Sequence, residues 1–388
     1  MATNVTRVRH PSYSSQIWHG FLGLLVLLGL YAFYLEYFKG HYFTGLTDVT
    51  PWGLYIAGFM FFLGISAGST IVGLMVHGFG REDYRPLATR AIVVSLVCLS
   101  ASMLFIMVHL GSIPRALLVP WVWRNPTSLL VYKSLSYYIF ALLLLANLYY
   151  SIRIAKGQAT VRDTAIAKWL SVGAAVYALT ALIGADALLF AVVKAREFWN
   201  NPLLPPHYGV VALVSGTAMM VLIGVASGWF SRRRLVNNAT LSHMGALLAF
   251  FIAITGFMDV LDLLIYTYSN EVIGGEARHF LTGSHLPISA VQVLGYSVAF
   301  VVLLFPKGRR TPWLAVAAVC ALAAVAAYRY NLTTVGVEVQ LYSFQQHVHY
   351  FPSWTEVSLS LGIAALTMLA YSILTGFLTE GERQGTTQ

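Results

Sequence analysis

Long, nearly uninterrupted apolar runs recur along the whole chain, separated by short polar breaks. They fall near residues 18–37, 53–77, 88–112, 128–152, 166–192, 208–229, 240–265, 286–305, 312–330 and 355–378. A helix needs about 20 such residues to cross the hydrocarbon layer of a bilayer, and each run is of that order. Strands of a membrane barrel would instead alternate apolar and polar over about 10 residues. These runs are continuous and too long for that. The pattern predicts an all-α polytopic integral membrane protein of about ten transmembrane helices. A leader peptide is the competing reading of the first run, but no small-x-small cleavage site follows it, so it reads as an uncleaved span.

Composition narrows the picture. The chain has 388 residues, 58% hydrophobic and 10% charged, against about 45–50% and about 25% for soluble chains. So few charges cannot cover the surface of soluble domains totalling this length, which excludes a water-soluble enzyme and a disordered chain alike. The net charge of +9 invites a nucleic-acid partner. The basic residues, however, lie mostly in short loops between apolar runs, where topology and anionic lipid of the bilayer explain them better. Sixteen of the 24 fall on the side of the termini, with the Arg232–Arg234 and Lys307–Arg310 loops foremost. The other eight, among them Lys39, Arg115, Lys133, Arg196 and Arg329, fall opposite. This bias predicts that both termini are cytoplasmic. The five connections on the other side are longer and carry prolines and Trp52, Trp121, Trp123, Trp199 and Trp354 at or near their edges. Rigid aromatic loops suggest a working face there, although an interfacial aromatic belt accounts for part of the pattern.

Ionisable residues within the spans are the first candidates for chemistry, because each is costly unless paired or hydrated. Asp259 and Asp262, in "GFMDVLDLLIY", are three apart and share a helix face. Two carboxylates that close raise the proton affinity of at least one, which suits a proton relay or a cation site. Asp186 stands in "IGADALLF" near the outer end of its span. A polar contact inside the bundle is the alternative for all three. His109 ends the third span, with Arg115 just beyond; together they could bind an anionic or carbonyl-bearing ligand. Lys133, one turn into the fourth span, either snorkels to the surface or neutralises a buried carboxylate. His77 with His243, and His109 with His207, formally give two haem ligand pairs, as in a di-haem cytochrome b. Cys98 and Cys320 are isolated in apolar runs and cannot hold an iron–sulfur cluster or zinc. Membrane carboxylates in about ten spans also leave an ion- or proton-coupled secondary transporter open.

Three segments carry a family resemblance. "TPWGLYIAGFMFFLGISAG" (Thr50–Gly68) resembles the opening of the core bundle in the NrfD/PsrC family of quinone-interacting membrane subunits. "NPLLPPHYGVVALVSGTAMM" (Asn201–Met220) resembles the start of that family's second bundle half. "YFPSWTEVSLSLGIAA" (Tyr350–Ala365) is similar to the C-terminal span of longer ten-span members, including hydrogenase-2-type membrane subunits. The division this implies is a tail at 1–17, a peripheral span at 18–37, four-helix halves at 53–192 and 208–330, a span at 355–378 and a tail at 379–388.

The resemblance implies a subunit of the bacterial or archaeal cytoplasmic membrane that exchanges electrons with quinone or menaquinone and has no metal or covalent cofactor of its own. Its implied partner is a ferredoxin-like iron–sulfur subunit on the outer face and, through it, a catalytic subunit. The family often ends its third span Asp–(Leu/Val)–Gly–Arg, where this chain has His109, Leu110, Gly111 and Ser112, with Arg115 following. On this basis His109 and Tyr55 are expected to contact the quinone headgroup, with Arg115 tuning the local potential and Trp52 lining the pocket. Asp186 and Lys133 are expected on the proton path, with Asp259 and Asp262 as a separate route in the second half.

Overall fold

A computed structural model describes residues 13–111, 114, 118, 121, 125, 127–196, 198–230, 235–268, 278, 281–338 and 349–385. Among the described residues, ten helices are long and apolar enough to span a membrane, and the chain is an all-α polytopic membrane protein. We label them α1 (Tyr13–Lys39), α2 (Leu54–His77), α3 (Arg85–Leu110), α4 (Leu129–Ala155), α5 (Val161–Ala191), α6 (Leu204–Phe230), α7 (Asn238–Tyr268), α8 (Leu286–Leu304), α9 (Thr311–Glu338) and α10 (Trp354–Gly385). Successive helices run in opposite directions. One face of the bundle therefore gathers the C-terminal ends of odd-numbered helices and the N-terminal ends of even-numbered ones, with the longer connections. We call it the loop-rich face. The other is the terminus face.

Local sequence sets several helix ends. Pro86 and Pro287 occupy the first turns of α3 and α8, where a missing N–H costs nothing. Gly111 closes α3 in the left-handed region at φ 65°, a conformation that suits glycine. Thr160 and Asp163 form a reciprocal capping box at the start of α5, and Ser353 with Glu356 does the same for α10.

Two helices depart from regular form. Thr70 divides α2 into Leu54–Ser69 and Ile71–His77. A π-helical turn at Ala178–Leu182 rotates the rest of α5 relative to its first half and sets the face that carries Asp186.

The largest departure from the hydropathy pattern is α9. It runs eight residues past the end of its apolar run, to Glu338. Arg329, counted by sequence among the basic residues on the side opposite the termini, lies within the helix more than two turns from its end and is 0% exposed. The helix continues through the polar stretch after it, where Thr333 and Thr334 satisfy their buried hydroxyls on the carbonyls of Arg329 and Tyr330 at 2.9 and 2.8 Å.

Packing sorts inner from peripheral helices. The most apolar window of α2 is 72% buried, against 22% for α1 and 17% for α8. α2 packs on α3, α6 and α9, while α6 also meets α5 and α7. α1 lies against α10, and α8 against α9. Large side chains such as Leu24, Leu142, Phe257 and Val293 point outward, where lipid is their solvent. With no hydrophobic force pushing helices together inside lipid, close contact depends on small residues. A Cβ on Gly68 would lie 1.9 Å from the Ala212 carbonyl oxygen, and one on Gly216 would lie 2.0 Å from the Gly68 carbonyl carbon. Gly29 and Gly362 meet in the same way between α1 and α10.

Gly216→Val must therefore separate α2 from α6. Overpacking of this kind costs about 1–3 kcal/mol or more, so the thermal unfolding midpoint in detergent should fall by several degrees. Gly23→Ala, with nothing within 4 Å of the added carbon, should leave it unchanged.

Candidate functional site

Ionisable groups within the spans concentrate near the loop-rich face, most of them buried. At a rise of 1.5 Å per residue, Lys133, Asp186, Asp259 and Arg329 all lie within about 6–14 Å of that end of their helices. The polar residues at this end of the bundle fall into three groups, with Arg329 apart from them.

The first joins α4, α5 and α6. Asp186 is 0% exposed and forms an ion pair with Lys133. Tyr137 donates to its Oδ1 at 3.2 Å and Tyr208 donates to its Oδ2. The Lys133 ammonium also lies 4.6 Å from the centre of the Phe59 ring of α2. A carboxylate at this depth persists only with such partners. Of the two readings open for Lys133, neutralisation is the one observed.

The second group sits between α6 and α7. His207 is 1% exposed. Its Nε2 lies 3.5 Å from Asp259 and its Nδ1 3.4 Å from Asp262. The side-chain amide of Asn201 donates to Asp262 at 2.8 Å. The three-residue spacing thus does place both carboxylates on one face, against one imidazole. With both ring nitrogens facing carboxylates, His207 is poorly suited to be an axial haem ligand. On the terminus face, His77 lines a small polar cavity with Thr70, Ser95, Asn147, Ser151 and Ser171, whereas His243 is exposed.

The third group was not anticipated from sequence. Tyr55, at the start of α2, is 0% exposed and donates its hydroxyl to Glu36 of α1. Glu356 accepts from the backbone N–H groups of Gly45 and Ser353 at 2.7 and 2.9 Å and from the Tyr350 hydroxyl at 2.5 Å. Glu338 accepts from the Tyr350 N–H at 2.8 Å and lies 3.1 Å from His285 and 3.3 Å from His349. Tyr350 lies in the connection before α10. Burial first, and then the charge of Glu356, raise its pKa well above the usual phenol range. It is therefore a fixed donor to Glu356 at neutral pH. Its hydroxyl also accepts from the Leu54 N–H at 2.8 Å, which ties α10 to the start of α2.

The remaining sequence candidates have different neighbours. Trp52 stacks on Trp199 at 5.0 Å between ring centroids and meets Phe190 edge-on at 5.4 Å, walling the loop-rich end between α2 and α5. Phe105 of α3 abuts Gly58 and stacks on Phe62. Antiparallel register then puts His109, one turn further on, at the level of Leu54 and Tyr55. Arg115 lies outside the described residues. Tyr55 and Trp52 do not converge on a shared partner, since Tyr55 turns to α1 and Trp52 to α5. Among the described residues, no group of three or more His, Cys, Asp or Glu is arranged to hold a metal ion.

Ten apolar spans with buried charge gathered under one aromatic face define a polytopic membrane protein with a polar site near one surface. The chain belongs to the polysulphide reductase NrfD family, whose pattern matches residues 43–339. It is similar to a selenate reductase subunit of Mesobacillus selenatarsenatis, 25% identical over 91% of each chain. It is also similar to the Hdr-like menaquinol oxidoreductase integral membrane subunit of Archaeoglobus fulgidus, 23% identical over 81% of this chain and 78% of that one. The menaquinone reductase integral membrane subunit of Nitratidesulfovibrio vulgaris is 22% identical over 92% and 90%. Two of these names refer to menaquinol or menaquinone, so the chain is linked at family level to membrane subunits of quinone-linked oxidoreductases.

Asp186→Asn strands the Lys133 ammonium in a nearly closed site. Breaking a buried pair on one side costs about 3–5 kcal/mol, so the purified variant should unfold at markedly lower temperature or denaturant than the parent. Lys133→Met combined with Asp186→Leu removes both charges and should recover most of that loss.

Proposed function

We propose that this chain is the quinone-reactive membrane subunit of a respiratory oxidoreductase complex. It exchanges electrons between the menaquinone/menaquinol pool and a ferredoxin-like iron–sulfur subunit docked on the loop-rich face. Electrons pass through that subunit to a catalytic one, which carries the complex's own substrate chemistry. The observation that carries this reading is the gathering of buried acids, tyrosines and histidines just beneath one aromatic-walled face. Interconversion of quinone and quinol moves two electrons and two protons. Such a headgroup needs donors and proton acceptors close to a surface where an electron carrier can approach, and this face supplies them.

On this reading His109 and the Tyr55–Glu36 pair handle the protons at the quinone oxygens. Trp52, with Trp199 and Phe190, excludes water from one side, and Arg115 sets the local potential. The Lys133–Asp186 pair, held by Tyr137 and Tyr208, receives or returns protons behind the headgroup. Asp259 and Asp262, with His207, extend the path and couple electron transfer to proton movement across the membrane. The loop-rich face lies outside a bacterial or archaeal cytoplasmic membrane and both termini lie in the cytoplasm, a reading supported by the charge bias of the connections. The Tyr350–Ala365 segment, which delivers Glu356 to this face, supports assigning the chain to the longer ten-span members similar to hydrogenase-2-type subunits.

Purification in mild detergent should yield the chain with an iron–sulfur subunit and extractable menaquinone. A chain that purifies alone and free of quinone would contradict the assignment. In the intact complex, removal of a proton-transfer group costs about 10²–10⁴-fold. Tyr55→Phe and His109→Ala should each slow quinone-linked turnover by at least the lower figure, measured against a quinol or quinone of fixed concentration. Replacing both Asp259 and Asp262 by Asn should abolish turnover-driven proton uptake in vesicles, and unchanged uptake would remove them from the path.

A further inference from the structure

Among the described residues, Arg329 is the largest side chain that is fully buried, and neither the proposed quinone chemistry nor the fold alone uses it. Its guanidinium carbon lies 3.5 Å from the centre of the Tyr208 ring, and Nη2 donates to the Tyr208 carbonyl at 3.3 Å. Nε and Nη1 are buried, and no described residue accepts from them. Nor does any described carboxylate lie within ion-pair distance of it.

A cation in lipid surroundings is expensive, and the two tyrosine rings beside it, Tyr208 and Tyr328, offset only part of that cost. An apolar side chain would fill the same space at lower cost. The facing residue on α2 is Gly64, where a Cβ would lie 3.6 Å from Nη2 and 3.2 Å from the Ser215 hydroxyl, so a glycine here lets α2 approach the guanidinium without crowding it. Tyr296 of α8 is likewise buried, with its hydroxyl bonded to no described residue. Buried donors without protein acceptors are the usual hosts of internal water.

The position of Arg329 matters as much as its lack of acceptors. On one side, the Tyr208 ring beneath it carries the hydroxyl that donates to Asp186, which is paired with Lys133 and also bonded by Tyr137. On the other, the Tyr328 ring lies 5.4 Å from the guanidinium carbon and 5.0 Å from the His207 ring. His207 faces Asp259 and Asp262. A single cation thus lies between the two acid groups, read from sequence as belonging to separate routes, with an aromatic ring on the side of each.

We propose that Arg329 couples the Lys133–Asp186 pair and the His207–Asp259–Asp262 cluster into one proton-binding unit, holding internal water on Nε and Nη1, so that protonation of one group alters the proton affinity of the other. Arg329 keeps its own proton and is a positioning residue. This deepens the proposed proton path and rests on it only for its biological use. The coupling itself belongs to the chain alone.

The signs follow from the charges. With Asp259 neutral, Arg329 is less compensated and holds Asp186 more strongly in its ionised form. With Arg329 neutral, Asp186 loses a stabilising cation and protonates more readily. The test is an infrared pH titration of the full chain in lipid nanodiscs, without partner or quinone. The carboxylic C=O band of Asp186 is assigned by its displacement in Asp186→Glu. Asp259→Asn should move the titration of that band to lower pH by about one unit. Arg329→Gln should move it to higher pH by a similar amount and remove the effect of Asp259→Asn, while Arg329→Lys should restore both. An Asp186 band that titrates at the parent pH in Asp259→Asn overturns the proposal, even if Arg329→Gln fails to fold. Equal effects of Asp259→Asn with arginine and with glutamine at 329 overturn it as well. Loss of quinone activity in the complex would leave this result untouched, and the reverse also holds, so the two readings fail separately.

Discussion

Inside a bilayer a carboxylate cannot borrow hydration, so every buried acid must find its partners within the protein. Asp186 shows how far this requirement reaches. Its ammonium partner comes from α4, its hydroxyl donors from α4 and α6, and its own position from the part of α5 beyond the π-helical turn. The Lys133 ammonium is enclosed by Phe59 of α2, and α2 can stand close to α6 only because Gly68 and Gly216 carry no side chains. The polar pair and the apolar helix contact thus depend on each other. Loosening either admits lipid or water to a charge that tolerates neither in an uncontrolled way.

The same requirement organises the loop-rich face. Glu36, Glu338 and Glu356 are each 5% exposed or less, and each is held by groups from another segment of the chain. Through Tyr350 the connection before α10 bonds to Glu338, Glu356 and the first turn of α2. The peripheral α10 is thereby fixed to the helix at the centre of the bundle, and α1 is fixed to it by Glu36 and Tyr55. The framework around the candidate site is held by hydrogen bonds at its surface end and by glycine contacts deeper in the membrane.

How much of this was legible in the sequence follows from what hydropathy can and cannot carry. All ten spans were, because lipid imposes a length and an apolar composition on each segment separately. The end of α9 was not: Arg329 and Asn331 break the apolar run, and what shelters the arginine is the Tyr208 ring of another helix. Asp186, Asp259, Asp262 and Lys133 stood out because they interrupt apolar runs. Glu36, Glu338 and Glu356 sit where a span ends or begins, and charge is ordinary there. The one signal for them was local, since Glu36 falls in an aromatic stretch, "FYLEYF", and Glu356 at the third position after Ser353. That Lys133 meets Asp186, or that His207 lies between two aspartates, is a matter of helix neighbours. A single sequence does not state which helices are adjacent.

On the proposed reading quinone sits under the loop-rich face, between the first turn of α2 and the last turn of α3. Photolabelling of membranes with an azido-menaquinone analogue, followed by peptide mapping, tests this placement most directly. Quinone-protectable labelling is expected on the segments containing Trp52–Tyr55 and His109. Protectable labelling confined to α7 and α8, or to the terminus face, would contradict it.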